Sequence, residues 1–303
     1  MSLDGLIDRA GDRLEEHAEL GARTTYRVGG RVRALLTLDT EAQLEQLAPL
    51  LFDCGLRVVT VGNGSNLLVA DGEHELLVVR LRGEFATLRW RDEDGDVLVV
   101  GGAGLDLPVA ARRLANEGIV GFEWAVGVPG TFGGAVAMNA GGHGSDMAAS
   151  VVGVASYDVR GPRQWTNAEL GFGYRTSAVS SSVIVTRVTL RLTRGEPEVA
   201  QARIKEIVRW RREHQPGGAN AGSVFQNPSG DHAGRLIDVA GCRGMRVGNA
   251  RVSEKHANFI VVDPDGTASD VFTLIRAVQT RVAEVTGIEL RSEHRLLGFE
   301  ESL

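Results

Sequence analysis

The sequence predicts a mixed α+β fold in three successive units, and three observations carry that prediction. At 303 residues the chain exceeds the usual span of a single compact core. A strand, helix, strand pattern over residues 33–61 gives way to short, one-sided strands between 76 and 192. A charged, proline-containing stretch, Thr193 to Glu198, then introduces a further segment of amphipathic helices.

The elements follow in order. RALLTL at 33–38 reads as a strand, and 41–54 as a helix with Leu44, Leu47 and Leu51 on one face. RVVTV at 57–61 returns as a strand and runs directly into a glycine segment, GNGSN at 62–66, which places that loop at a strand's carboxyl end. Strands at 76–81, 97–102 and 183–192 and a helix at 107–118 make the middle unit. In the last of these strands Val188, Leu190 and Leu192 alternate with Arg187, Thr189 and Arg191, the mark of a sheet with one wet face.

Beyond the boundary near 196, Arg203, Lys205, Arg209, Arg211 and Arg212 interleave with Ile204, Ile207, Val208 and Trp210 at helical spacing. A solvated helix face and a phosphate-binding surface both fit that pattern. Residues 268–286 form the strongest helix: Val271, Leu274, Ile275, Val278, Val282 and Val285 share one stripe, and Gly287 stops it. Strands at 257–262 and 288–291 flank it. The third unit is therefore a small α/β domain, and the domain limits are 1–72, 73–195 and 196–303.

The bulk numbers exclude several functions. Two cysteines, Cys54 and Cys242, far apart and in no close pair, argue against a disulfide framework and against a cysteine-ligated metal. No second histidine or cysteine lies close to His256, so no metal site is expected. The N-terminal residues lack a basic start followed by an apolar run, and no run approaches a membrane span, so the chain is read as cytoplasmic. A net charge of -6 repels nucleic acid, and none is expected as a partner.

Neither glycine segment is a Rossmann fingerprint, which requires a helix directly after the loop. GNGSN offers converging backbone N–H groups at Gly62 and Gly64, with Asn63, Ser65 and Asn66 as side-chain donors, a set suited to phosphate oxygens. A plain two-glycine hairpin turn satisfies the same residues. The second segment, 126–144, holds seven glycines in 19 residues, an entropic cost that close backbone approach to a flat or anionic ligand would offset. A glycine-packed turn without ligand is the alternative. Its lack of charged side chains fits a pyrophosphate held by dipoles, and Ala135 to Met138 offer an apolar slot.

Three further segments carry active side chains. Arg175 stands in GFGYRTS, where a guanidinium fork can polarise a carboxylate or carbonyl; Ser223 in AGSVFQNP follows a glycine; and Glu293 in LRSEHRLLG follows the strand expected at 288–291. Taken singly, each has a plain reading as a stacked arginine, a turn and a solvated glutamate.

In sequence order, TTYRVGG at 24–30, VGNGSNLLV at 61–69, GVPGTFGGAVAMNAG at 127–141, GYRTS at 173–177, AGSVFQNP at 221–228 and VSEKHANFIV at 252–261 closely resemble the UDP-N-acetylenolpyruvoylglucosamine reductase (MurB) family. The resemblance runs from about Thr24 to Gly298. It implies a two-part FAD-binding module of the vanillyl-alcohol-oxidase (PCMH) type followed by a small α/β substrate-binding domain. With Tyr26, Tyr157 and Tyr174 as the only tyrosines, the chain looks like the compact branch, which lacks an extra tyrosine-bearing loop.

The implied reaction is NADPH-dependent, FAD-mediated reduction of UDP-N-acetylglucosamine enolpyruvate to UDP-N-acetylmuramate in peptidoglycan precursor synthesis. Carried over position by position, the catalytic residues are Arg175 and Glu293 at the substrate carboxylate and Ser223 as proton donor. The cofactor-binding residues are Tyr26, Val61, Gly62, Asn63, Gly64, Ser65, Asn66, Gly127, Pro129, Gly130, Gly133, Gly134, Ala135, Asn139 and Gly141. Tyr174, Arg175, Gln226 and Asn227 are expected at the substrate. FAD is expected to be non-covalent and the chain monomeric. Two departures stand out: Gln226 replaces the family's usual lysine, and Ser292 and His294 flank Glu293 where proline and valine are commoner. Arg243, Arg246 or Arg251 are candidates to replace the lost lysine charge.

Overall fold

The computed structural model describes residues 3–300, and the chain divides into two compact units. The first holds the chain up to His17 together with Arg33–Gly62 and Glu75–Arg211; the second holds Ala18–Val32, Asn63–His74 and the chain from Arg212 onward.

In the first unit Arg31–Leu38, Glu73–Leu81 and Arg57–Thr60 lie side by side in a four-stranded sheet. The helix Glu41–Asp53 begins where Thr40 accepts the backbone N–H of Gln43, and it buries Leu44, Leu47, Ala48 and Leu51. Arg57–Thr60 pairs parallel to Leu76–Val79, and the glycine segment leaves from that strand's carboxyl end as the sequence predicts. No helix follows it; the next element is the strand Leu67–Val69.

An antiparallel sheet runs in the order Gly161–Thr166, Val151–Asp158, Ile184–Arg194, Asp96–Gly102, Leu88–Glu93. Val97, Val99, Val188, Leu190 and Leu192 turn into the core while Arg187 and Arg191 face outward, the alternation expected of a half-wet sheet. Gly101 in this sheet makes room for Phe132: a Cβ at Gly101 would lie 3.1 Å from the phenylalanine ring. The second glycine segment is thereby packed directly on the sheet.

The basic helix is Pro197–His214. It buries Ala200, Ile204 and Ile207, exposes Arg203, Lys205, Arg209 and Arg212, and pairs Arg203 with Glu206 at 2.6 Å, so the solvated-face reading describes its outer side. Through Arg211 it belongs to the first unit, which divides the chain differently from a limit at 196.

In the second unit the helix Ala268–Thr286 has the limits its periodicity predicts. Thr267 and Asp270 form a reciprocal cap at its start, and Gly287 ends it in the left-handed region at φ 72°. It packs on a three-stranded sheet, Arg246–Val247, Ala250–Val252 and Ile260–Val262. Two expectations are corrected here. The strand read at 257–262 is shortened to Ile260–Val262, because Phe259 N–H donates to His256 O and Asn258 N–H to His256 Nδ1, which closes 256–259 into a turn. The strand read at 288–291 does not form: Leu290 is buried, and its carbonyl accepts from Gln279 Nε2. The strand is Arg295–Leu297 instead, paired parallel to Leu67–Val69.

Candidate active site

The first unit carries Val61, Gly62, the second glycine segment and Arg175. Val61 donates its N–H to Val79 O, and at Gly62 a Cβ would lie 2.4 Å from Thr131 Oγ1. The first glycine is thus required by close approach to the second segment. Phe132 N–H donates to Leu105 O and Gly133 N–H to Ala103 O, which holds the helix Phe132–Ala137 against neighbouring backbone.

Gly134 differs from these. It is exposed within that helix, where glycine costs about 1 kcal/mol relative to alanine, yet a Cβ would meet nothing closer than Thr131 Oγ1 at 3.7 Å. No protein atom requires its bareness; a flat group lying against the helix would. Together with the absence of charged side chains from the segment, this fits a dinucleotide held by backbone dipoles.

Three hydrogen bonds bolt the GYRTS turn to the glycine segment: Asn139 Nδ2 to Gly173 O at 2.9 Å, Arg175 Nη2 to Gly141 O at 3.0 Å, and Ser177 Oγ to Ala137 O at 3.1 Å. Arg175 sits at φ 56°, a left-handed conformation that costs a non-glycine residue roughly 1–2 kcal/mol and is characteristic of functional sites. Tyr174 beside it is 55% exposed, with its ring 5.1 Å from the guanidinium carbon. Asn139 also donates to Asp146 and accepts from Ala148 N–H, so its carboxamide is spent on framing this turn.

The second unit carries Asn63 to Asn66, Tyr26, Ser223 and Glu293. Asn66 Nδ2 donates to Glu293 O at 2.9 Å, and Arg295 N–H donates to Asn66 O at 2.9 Å. The residue expected to face a cofactor therefore anchors Glu293, just ahead of the parallel strands. Glu293 precedes the last strand rather than following it. Tyr26, also expected at the cofactor, is fully enclosed, with its ring edge-on to His294 at 5.4 Å. It supports the loop from within the core, and burial raises its phenol pKa beyond the physiological range.

Ser223, half-buried, lies on an extended segment whose neighbours are Phe259 on one side and Ser292 on the other. Glu293 N–H donates to Val224 O at 2.8 Å, so Ser223 and Glu293 occupy adjacent backbones. Asn227 Oδ1 accepts from Ala233 N–H at the start of the helix Ala233–Val239, which leaves its amide NH₂ as the end available to a substrate. The arginines proposed to replace a lysine at Gln226 are engaged: Arg243 with Asp238 at 2.8 Å, Arg246 and Arg251 with Asp263 at 2.6 and 3.2 Å. His294 is 7% exposed, and burial pushes its pKa down to about 4, so it is neutral at physiological pH.

Sequence reasoning missed Asn258, and it named Asn66 and Asn139 for the cofactor without their side-chain bonds to the backbone of Glu293 and Gly173. The available signal for Asn258 was a carboxamide between Ala257 and Phe259 in an otherwise apolar stretch.

Comparison with known proteins bears directly on these elements. Residues 32–166 match the family model of an FAD binding domain, and residues 214–297 match that of the UDP-N-acetylenolpyruvoylglucosamine reductase C-terminal domain. The reductase of Paramagnetospirillum magneticum is 42% identical over 300 residues, covering 97% of this chain and 95% of that protein. The chain belongs to the UDP-N-acetylenolpyruvoylglucosamine reductase family. The Heliobacterium modesticaldum reductase is 41% identical and covers 92% of the chain and 89% of its own length. The crystal structure of the reductase (MurB) from Thermus caldophilus superimposes with a TM-score of 0.80 at 38% identity, covering 94% of this chain and 99% of that one. The fold is an FAD-binding PCMH-type domain joined to the reductase C-terminal domain, and the chain is an FAD-binding oxidoreductase. Among the described residues no helix is long and apolar enough to cross a membrane.

Proposed function

We propose that Arg175, Ser223 and Glu293 carry the second half of the reductase reaction. The chain is an NADPH-dependent, FAD-containing UDP-N-acetylenolpyruvoylglucosamine reductase of peptidoglycan precursor synthesis. The observation that supports the residue assignment best is the bond from Glu293 N–H to Val224 O, which sets Glu293 beside the segment that carries Ser223.

Val61 to Asn66 and Gly127 to Gly141 hold the dinucleotide, with Gly134 at the face that accepts a flat ring and Asn66, Asn139 and Tyr26 supporting from behind. FAD held there would supply the hydride chemistry, relaying a hydride from NADPH to the terminal methylene of the substrate's enolpyruvyl group. Negative charge then grows at the carbon that bears the carboxylate. The Arg175 fork stabilises that charge and orients the carboxylate. Glu293 acts there protonated or beside a cation, because a bare carboxylate would repel the substrate's own. Ser223 Oγ gives its proton to the carbon and regains one from solvent. The carbanion-like centre is basic enough to accept a proton from a weak acid, so alignment substitutes for acidity.

Tyr174, Gln226 and the amide NH₂ of Asn227 contact the nucleotide-sugar substrate. We further propose non-covalent FAD, a monomer of the compact branch, a cytoplasmic location, and domain limits at 1–72, 73–195 and 196–303, the third beginning with the basic helix.

The test is a two-step flavin assay. NADPH should bleach the flavin of the loaded enzyme, and UDP-N-acetylglucosamine enolpyruvate should restore its colour. Bleaching without restoration would point to an FAD oxidoreductase acting on a different substrate. A protein that cannot be loaded with flavin would sink the enzymatic reading.

A further inference from the structure

We infer that Asn258 is the positioning residue of the proton-donating serine: its carboxamide takes the place of a neighbouring strand and fixes the register of Ser223 against Glu293. The inference rests on the assignment of Ser223 as donor.

The segment Ser223–Gln226 runs extended but belongs to no regular ladder. It meets its neighbours through single bridges, Ser223 with Phe259 on one side and Phe225 with Ser292 on the other. A lone bridge does little to fix register, and a slip of one residue would turn Ser223 to the opposite face and bring buried Val224 into its place. Asn258 supplies the missing restraint. Its Oδ1 accepts the N–H of Phe225 at 2.9 Å, its Nδ2 donates to the carbonyl of Phe225 at 2.8 Å, and its own carbonyl accepts the N–H of Val224 at 2.9 Å. A carboxamide has the same donor and acceptor pair as a peptide group, so one side chain satisfies both backbone groups of Phe225 as an adjoining strand would.

The clamp is rigid and connected. Asn258 is 4% exposed, and its N–H donates to His256 Nδ1, which ties it to the turn before it. On the far side of the segment Val224 O receives both Glu293 N–H and Ser292 Oγ. Val224 is thus bonded to the asparagine through its N–H and to the glutamate through its carbonyl. Displacing Phe225 displaces Ser223 relative to Glu293 without touching either side chain. Asn66 plays a comparable part for Glu293, but it lies in the cofactor loop; Asn258 lies in neither glycine segment, which isolates its effect.

The experiment follows both half-reactions of the flavin-loaded, full-length chain by stopped-flow absorbance in Asn258→Ala, Asn258→Asp and Ser223→Ala. Asn258→Ala should bleach with NADPH within about twofold of the parent, whereas reoxidation by saturating enolpyruvyl substrate should fall about 10- to 100-fold with little change in its KM, the scale of a misplacement near 1 Å. Asn258→Asp keeps the acceptor for Phe225 N–H but loses the donor while ionised. Its reoxidation should recover as pH falls and the carboxyl regains a proton, a profile that loss of packing alone would not produce. Reoxidation at the parent rate in Asn258→Ala, with Ser223→Ala blocked, would overturn the positioning role. Equal slowing of both half-reactions would overturn it too. Should Asn258→Ala fail to fold, a pH-independent defect in Asn258→Asp would overturn the role in its stead. Normal reoxidation in Ser223→Ala would remove the donor assignment itself, and this inference with it.

Discussion

The two units build their functional elements by opposite means. In the first, Gly62 and the second glycine segment are shaped by missing side chains: Gly62 admits Thr131, Gly101 admits Phe132, and Gly134 leaves a bare helical face. In the second, Ser223 and Glu293 are set by carboxamides that act as surrogate backbone, Asn258 for Phe225 and Asn66 for Glu293. A cofactor recognised by shape needs room. Chemistry at one carbon needs register.

That contrast predicts where each kind of substitution registers. The largest effect belongs to the second unit: Ser223→Ala should lose about 10² to 10⁴ in reoxidation by enolpyruvyl substrate while NADPH still bleaches the flavin. A reoxidation rate equal to the parent's would end the donor role. Arg175→Ala should slow the same step by about 10² or less, with a raised KM, since it removes one charge-stabilising fork. An unchanged rate would leave Arg175 as a pin between the GYRTS turn and Gly141. If Arg175→Ala instead stopped flavin binding, the cradle and the chemistry would not be separable within the first unit.

A third prediction sharpens the comparison through pH. His294 is neutral when folded because burial pushes its pKa from 6.5 to about 4. A depressed folded pKa contributes stability that is fully present above pH 6.5 and is lost as pH falls toward 4. By the usual conversion the loss totals about 3 kcal/mol. His294→Val should abolish this part of the acid sensitivity. Parallel urea denaturation curves for parent and variant from pH 7 to 4 would refute it.

The smallest effect carries two signs. Gly134→Ala should stabilise the flavin-free protein by up to about 1 kcal/mol, as a better helix former with no clash to meet, yet weaken FAD retention. Equal or tighter retention would remove the argument that Gly134 is bare for a ligand.

Much of this was legible in the sequence where the signal is local. The helix Ala268–Thr286 was readable because six apolar residues keep one face and Gly287 supplies the stop; the first glycine loop was placed correctly because a β-branched strand precedes it. The six ordered motifs identified the family. What stayed hidden depends on partners distant in the chain. Leu67–Val69 and Arg295–Leu297 are three residues each, too short for periodicity, and 227 residues separate Asn66 from the Glu293 carbonyl it binds. Residues 288–291 read as a strand because burial of Leu290 in a loop leaves the same apolar mark as burial in a sheet. Asn66 and Asn139 looked like ligand contacts, since a carboxamide's identity does not reveal whether it bonds a cofactor or a backbone.

The pairing of Leu67–Val69 with Arg295–Leu297 also orders events during synthesis. A chain emerging from the ribosome displays Asn66 and its strand long before residues 293–297 have been translated, so the bonds that join these two segments form late. A polypeptide that stops short of Arg295 keeps the earlier bonds of this loop, Thr25 N–H to Gly64 O and Gly30 N–H to Ala70 O, but lacks the parallel partner of Leu67–Val69.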